Sequence, residues 1–312
     1  MKRYATLFGP VPSRRFGRSL GIDLTPLKTC TLDCVFCQLG RTTVQTVERK
    51  PYVDLALVIE ELRDWFDHHG QADVLTLSGS GEPTLHSGFG DVLDCIACSS
   101  RIPALLLTNG TLLNRKDVRQ AACKAQMVKS SLCAWDRLSF QTINRPHPKI
   151  DFHDFVQGQI DFRHMFQGQL FLEIFLLQGL NDAPEQLQAM AEIAQKIQPD
   201  TIQLNTVDRP PAESFAQPVS ADQLTAAKEA FGSKAHIIAR QQRPTSSSTT
   251  MSRDSVLDML RRRPCTMDQL CALTGMHRNE LAKIMAQLHN EGTVSWRMIQ
   301  DELFYLAQEP DS

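Results

Sequence analysis

The chain has 312 residues, 42% of them hydrophobic and 22% charged, with a net charge of −2. That is the balance of a globular protein with room for one large domain and a small one, and it gives no global basic field for nucleic acid. Apolar runs such as "FLEIFLLQGL" (171–180) are interrupted and too short for a membrane span, and "MKRYATLFGPVPSRR" lacks the apolar core of a secretory leader, so the cytoplasm is the expected compartment. Nine cysteines, odd in number and irregular in spacing, fit a reducing compartment better than a disulfide framework.

In chain order, "SLGIDLT" (19–25) predicts a strand that leads into a cysteine-rich loop. A helix follows at 55–69, then a strand at 73–79 that ends in a Gly-rich turn. Next come a helix at 89–100, a strand at 104–110 ending in Asn-Gly, a helix at 115–125 and a strand at 127–134. A helix at 152–165 precedes the apolar strand 169–178. A helix at 183–199, with Pro in its first turn, precedes a strand at 200–207. The last repeat is a helix at 220–232, with Ser at its cap and Gly at its stop, and the short strand "HIIAR". Strand and helix alternate about six times, which predicts parallel strands joined by helical crossovers, either as an α/β barrel or as a doubly wound sheet. In both, functional groups gather at the C-terminal strand ends. The cysteine loop, "GSGEP", "TNG" and "NTVDRPP" all fall there.

"QQRPTSSSTTM" (241–251) is polar and lacks apolar periodicity, as a linker does. Residues 252–312 have another rhythm: a helix stopped by Pro264, a capped helix ending at Gly275, an amphipathic helix ending at Gly292, and two short strands. That order predicts a winged helix. From residue 251 onward there are seven Lys/Arg against nine Asp/Glu, and the third helix mixes Arg278 and Lys283 with Glu280 and Glu291. A DNA reader normally presents a basic face, so DNA binding is not the favoured role.

The loop "PLKTCTLDCVFCQLGRT" (26–42) holds Cys30, Cys34 and Cys37 with the spacing C-x3-C-x2-C. Three thiolates on a tight loop can hold three irons of a 4Fe–4S cluster and leave the fourth iron open, as a catalytic metal site requires. The alternatives are a structural zinc site with a distant fourth ligand, an electron-transfer cluster completed by a remote Cys, and idle buried cysteines.

The loop, with the aromatic Phe36 before the third Cys, resembles the signature of the radical S-adenosylmethionine (SAM) superfamily. The resemblance extends over residues 1–240. It implies a partial (β/α)6 TIM-type barrel in which Cys30, Cys34 and Cys37 bind the cluster and SAM chelates the open iron. It further implies an external electron donor such as flavodoxin or ferredoxin, and reductive cleavage of SAM to a 5′-deoxyadenosyl radical that abstracts hydrogen. "SGSGEPTL" (78–85) resembles the family's Gly-Gly-Glu-Pro element. There Gly79 and Gly81 allow close backbone approach to the methionine end of SAM, Ser80 stands between them as a variant of the element that meets the same end, and Glu82 supplies charge for its ammonium. Asn109 and Ser131 match secondary SAM contacts. Asn205 and Arg209 stand where the sixth strand end supports the adenine. Cys133 occupies the Asp position of the family's fourth-strand "S-L-D" element, which makes it a candidate substrate-facing or catalytic thiol. The opening "GPVPSRRFGRSLGIDLTPLKTCTLDCVFCQLG" also resembles bacterial relatives of the archaeal wyosine-forming enzymes, which act on transfer RNA.

Outside these motifs, Cys95 and Cys98 form C-x2-C on a predicted helix with no second pair, and helix-face packing accounts for them. Ser13, Arg14, Arg15 and Arg18 are candidates for binding substrate phosphate or carboxylate near the barrel mouth. Arg145 and His147 are loop candidates after the fourth strand. Glu173, if inward, must be paired. The expected function is RNA modification. Modification of a peptide or protein, and an Fe–S-sensing transcription regulator, are the alternatives.

Overall fold

Eight strands form one sheet in the order β1-β2-β5-β6-β7-β8-β9-β10. The structure, a computed structural model, describes residues 4–13, 15–68, 70–238, 253–276, 278–299 and 302–308. The expected linker at 241–251, and Arg14, lie outside these residues.

The elements in chain order begin with β1 (Leu7–Ser13), β2 (Gly17–Ile22), β3 (Thr29–Cys30), β4 (Val44–Gln45), α1 (Leu55–His68) and β5 (Val74–Leu77). Next are α2 (Phe89–Ser99), β6 (Ala104–Leu107), α3 (Lys116–Ala122), β7 (Met127–Ser131), α4 (Arg137–Ile143), α5 (Phe152–Met165) and β8 (Gln169–Leu176). The barrel part closes with α6 (Pro184–Ile197), β9 (Thr201–Thr206), α7 (Ala221–Phe231) and β10 (Ala235–Ile237). From β2 to β10 each neighbouring pair in the sheet is parallel. The strand order never reverses, as a doubly wound sheet requires, so the barrel expectation is the one met. The parallel strands read as apolar runs because both faces are covered: Val74, Leu75 and Leu77 of β5 are buried, as are Leu170, Leu172, Ile174 and Leu176 of β8.

Two longer elements of the barrel part, β1 and α4, differ from expectation. The chain opens with β1, antiparallel to β2, from "LFGPVPS", whose two prolines hide it; prolines are tolerated there because β1 is an edge strand. A seven-residue helix, α4, fills "RLSFQTI", capped by Asp136, which accepts from the Ser139 N–H at 2.7 Å.

The turn between β1 and β2 lies at the N-terminal ends of the parallel strands. Arg15 reaches from it into the barrel, donating to Glu173 at 2.5 Å and to Gln203 at 3.1 Å. Phe16 packs edge-on against Phe171, with centroids 5.2 Å apart. The expected position of these arginines at the mouth is therefore corrected. Arg15 plugs the opposite end, and Arg18 is tied there to Asp73, whose carboxylate accepts its backbone N–H at 2.7 Å.

The C-terminal unit comprises α8 (Arg253–Arg262), β11 (Cys265–Thr266), α9 (Met267–Thr274), α10 (Arg278–Asn290), β12 (Val294–Ile299) and β13 (Glu302–Ala307). The short β11 was not expected. It completes a three-stranded sheet in the order β11-β13-β12. Val256, Leu260, Cys265, Leu270, Leu281, Met285, Leu288 and Val294 form a core separate from that of the barrel. The unit touches the barrel at β1 and at the segment after β9. The Arg262 guanidinium lies 4.9 Å from the Phe8 ring centroid, and Arg297 Nη1 donates to the Pro211 carbonyl at 3.3 Å. Among the described residues no helix is long and apolar enough to cross a membrane.

Candidate active site

The cysteine loop leaves β2 at the C-terminal end of the sheet and is held on two sides. On one side β3 meets the turn after β5: Lys28 N–H donates to Ser80 O at 2.6 Å and Glu82 N–H to Thr29 O at 3.1 Å. On the other side the segment after α4 clasps it, with Asp33 N–H donating to Asn144 O at 3.1 Å, Val35 N–H to Ile143 O at 3.0 Å and His147 N–H to Thr31 O at 2.9 Å. Asp33, inside the motif, accepts from Arg41 Nε and from Thr42 N–H, both at 2.8 Å. Glu213 ties in Arg41 at 3.0 Å and Arg145 at 2.5 Å. Arg145 thus braces the loop from behind, and His147 holds it through its backbone.

Donors point at the sulfurs. Asn109 Nδ2 and the Leu32 N–H each lie 3.5 Å from Cys30 Sγ, and Asn144 Nδ2 lies 3.4 Å from Cys34 Sγ. Burial pushes the Cys30 thiol up to about 12, with nearby Glu82 adding to it. Cys34 is raised further, by burial and then by Cys30 and Cys37, and Cys37 is raised chiefly by burial. The amide donors are oriented for sulfurs that accept.

The Gly-rich turn abuts the loop. A Cβ on Gly81 would collide with the Thr29 carbonyl oxygen, and one on Gly79, whose φ is +135°, would collide with the Asp23 carboxylate. Asp23, the first residue after β2, is buried and accepts from both the hydroxyl and the N–H of Ser80, the latter at 3.1 Å. Burial raises its carboxyl above the usual range; the Ser80 bonds, and then Arg262, oppose this. Glu82 behaves differently from expectation. It is buried, and its carboxylate is occupied by Thr84 N–H at 3.1 Å, Thr84 Oγ1 at 2.5 Å, Thr108 Oγ1 at 2.7 Å and Asn109 N–H at 2.8 Å. A carboxylate with four donors organises the strand ends; it is not presented to a ligand ammonium. Asn109 is the link, since its backbone binds Glu82 while its amide reaches Cys30 and Thr31.

Deeper in the barrel, Ser131 stands opposite Glu173 in register, and Glu173 opposite Gln203. Burial acts to raise the Glu173 carboxyl, but Lys129 and Arg15, through charge and hydrogen bonds, outweigh it and hold the carboxyl far below its usual range. Lys129 Nζ donates to Glu173 at 2.6 Å, and its own pKa is lowered because burial exceeds what Glu173 returns. Asn205 donates to Glu173 at 3.3 Å and accepts from the Thr206 N–H at 3.1 Å, so its amide is engaged inside the barrel and not aimed at the mouth. Arg209 donates to Gln38, just past the third cysteine, at 2.9 Å. Cys133 is 3% exposed within an apolar cluster of Val35, Ile143, Leu177, Val207 and Ala216, and burial pushes its thiol up to about 12. That packing does not present it on an open surface. Cys95 and Cys98 lie on α2, as expected, half-buried and exposed.

Sequence reasoning missed Asp23, Lys129 and Asn144. For the first two a signal existed, a lone charge within or just after an apolar strand, in "SLGID" and "MVKSS". Asn144 ends a helix that was itself missed.

Residues 24–192 match the family described as the Radical SAM superfamily, a stretch that contains all three cysteines and the Gly-rich turn. The chain is 31% identical over 303 residues to a protein named "GTPase Obg" from Brachyspira hyodysenteriae, covering 96% of this chain and 45% of that one. The chain thus spans under half the length of that relative. It is 32% identical over 269 residues to a UPF0026 protein of Helicobacter pylori, covering 84% and 86% of the two chains. A solved radical SAM methyltransferase from Sphaerobacter thermophilus aligns at 14% identity over 70% of this chain and 65% of its own, with a TM-score of 0.49.

Proposed function

The chain belongs to the radical SAM superfamily and to the UPF0026 proteins, and on that premise we propose that it modifies a nucleoside of RNA by a reaction that begins with hydrogen abstraction. It is an enzyme whose cofactors are a 4Fe–4S cluster and S-adenosylmethionine. When bound, the cluster supplies the electron that cleaves SAM and so yields the 5′-deoxyadenosyl radical.

In this reading Cys30, Cys34 and Cys37 hold three irons, and Gly79, Ser80 and Gly81 receive the methionine end of SAM through their backbone. Asn109 and Asn144 stabilise the ligand sulfurs by hydrogen bonding. Glu82 fixes the relative height of the second and third strand ends, and Ser131 borders the chamber beneath. Arg15 and Phe16 close the far end against water. Residues 1–240 form the catalytic domain. Residues 252–312, joined through 241–251, form a winged-helix domain that selects the substrate, and a flavodoxin or ferredoxin delivers the electron. The observation that supports the cluster assignment is the direct hydrogen bonding of a three-thiol loop to a glycine turn, with amide donors aimed at two of the sulfurs. The choice of RNA rests on the likeness of the opening segment to wyosine-forming enzymes.

The test is anaerobic reconstitution with iron and sulfide, reduction with dithionite, and assay of 5′-deoxyadenosine. Cleavage in the wild type and its loss, with the iron, in Cys34→Ala is the expected result. No 5′-deoxyadenosine from a fully loaded wild type would sink the enzymatic reading. Transfer RNA from a deletion strain is expected to stimulate cleavage, and failure of every RNA fraction to do so would redirect the search to peptides.

A further inference from the structure

The buried carboxylate of Asp23 is the keystone of the glycine turn. It accepts both donors of Ser80 and faces the Gly79 backbone closely enough to exclude any side chain there. With its carboxyl ionised, each of the two oxygens accepts one Ser80 donor, and burial works against that ionised form. A charge taken out of water needs a counter-charge. Among the described residues, the cation that faces Asp23 comes from outside the turn and the barrel strands. It is Arg262, the last residue of α8 in the C-terminal unit, with Nε 3.9 Å from Asp23 Oδ2. Arg262 is held in place by the Phe8 ring below it and by the Asp258 carbonyl, to which Nη1 donates at 3.3 Å. Its Nε is buried and makes no hydrogen bond, so the interaction with Asp23 is one of charge and position.

We propose that Arg262 is a positioning residue for the cofactor turn. Seating of the C-terminal unit on the barrel sets the Gly79–Ser80–Gly81 turn through Asp23, and thereby raises the affinity for S-adenosylmethionine. The inference rests on the reading of that turn as the SAM site. Coupling of this kind is reciprocal, so SAM in turn tightens the seating of α8. The unit then does more than carry substrate: a substrate that shifts it alters the grip on SAM.

The experiment uses the full chain with its cluster reconstituted, and labelled SAM in equilibrium dialysis. Arg262→Met is expected to weaken SAM binding about tenfold, the scale of ordinary coupling between sites, with iron content unchanged. Arg262→Lys, which keeps the charge, recovers most of the loss. In an Asp23→Asn background the Arg262→Met change adds nothing, since the two act through one contact. Hydrogen exchange supplies a second readout: SAM slows exchange of the α8 amides in the wild type and not in Arg262→Met. Should Arg262→Met unfold the unit, Arg262→Gln carries the same comparison. Unchanged affinity in the charge-removing variant, or an equal loss with and without Asp23, overturns the relay while leaving the SAM site standing. A cluster-loaded wild type that binds no SAM overturns the site and the relay with it.

Discussion

Asn144 and Cys34 lie 110 residues apart in the chain and meet through one Nδ2–H···Sγ hydrogen bond of 3.4 Å. The same residue's backbone carbonyl accepts from Asp33, next to that cysteine. One asparagine thus ties both the course of the loop and the sulfur of Cys34, a proposed cluster ligand. Donors to a ligand sulfur stabilise the more negative, reduced cluster and so raise its potential.

Asn144→Leu is therefore expected to lower the midpoint potential of the cluster. The shift is on the order of 50 mV, from the worth of a hydrogen bond to a charged group. Redox titration followed by electron paramagnetic resonance measures it, at iron content equal to the wild type. A potential that stays put, or rises, rules out the electronic role.

Gly81→Ala places a methyl group against the Thr29 carbonyl, a backbone atom with little freedom to yield. The turn and β3 must separate, and with them the Glu82 N–H to Thr29 bond. Reconstitution is expected to leave this variant with less iron than the wild type and with SAM affinity down about tenfold or more. Iron analysis and dialysis check both; full iron with normal affinity would show that the two segments need not touch.

Cys133 and Cys98 should part company under alkylation. Burial holds the Cys133 thiol at about 12, so almost none is thiolate at pH 8, while Cys98 is exposed. Iodoacetamide on native protein, followed by peptide mass mapping, is expected to label Cys98 first and Cys133 only after unfolding. Early labelling of Cys133 would restore it as an accessible thiol facing substrate.

Glu173→Gln leaves the buried Lys129 and the half-buried Arg15 without their shared carboxylate, and about 3 kcal/mol of stability is expected to go with it. The sign with pH follows from a depressed carboxyl. Its stabilising contribution is complete above the unfolded value near 4.5 and is lost as pH falls toward the folded one. The difference between wild type and variant in urea unfolding should stay level from pH 8 to about 5 and narrow only in stronger acid. A difference already shrinking at pH 6 would mean that Glu173 is not held by its two cations.

Much of this was readable from the chain. Strands β5 to β9 and the helices between them, α4 excepted, follow from apolar runs and caps, because parallel strands buried on both faces leave a strong signal. The cysteine loop and glycine turn were readable for another reason: chemistry dictates their spacing. What escaped were relations between distant residues. Nothing in "SRRFG" says that Arg15 turns inward to Glu173, and "GEP" suggests a free carboxylate where Glu82 is fully bonded. β1 escaped because its prolines suit an edge that sequence alone does not locate.

The plug formed by Arg15 and Phe16 also bears on synthesis. Its partners Glu173 and Gln203 lie 158 and 188 residues further along. A nascent chain emerging N-terminus first makes the stopper long before the bottle that receives it. Closing so long a loop is slow, and although β2 can pair with β5 early, the Arg15 guanidinium lacks its partners until β8 and β9 have left the ribosome.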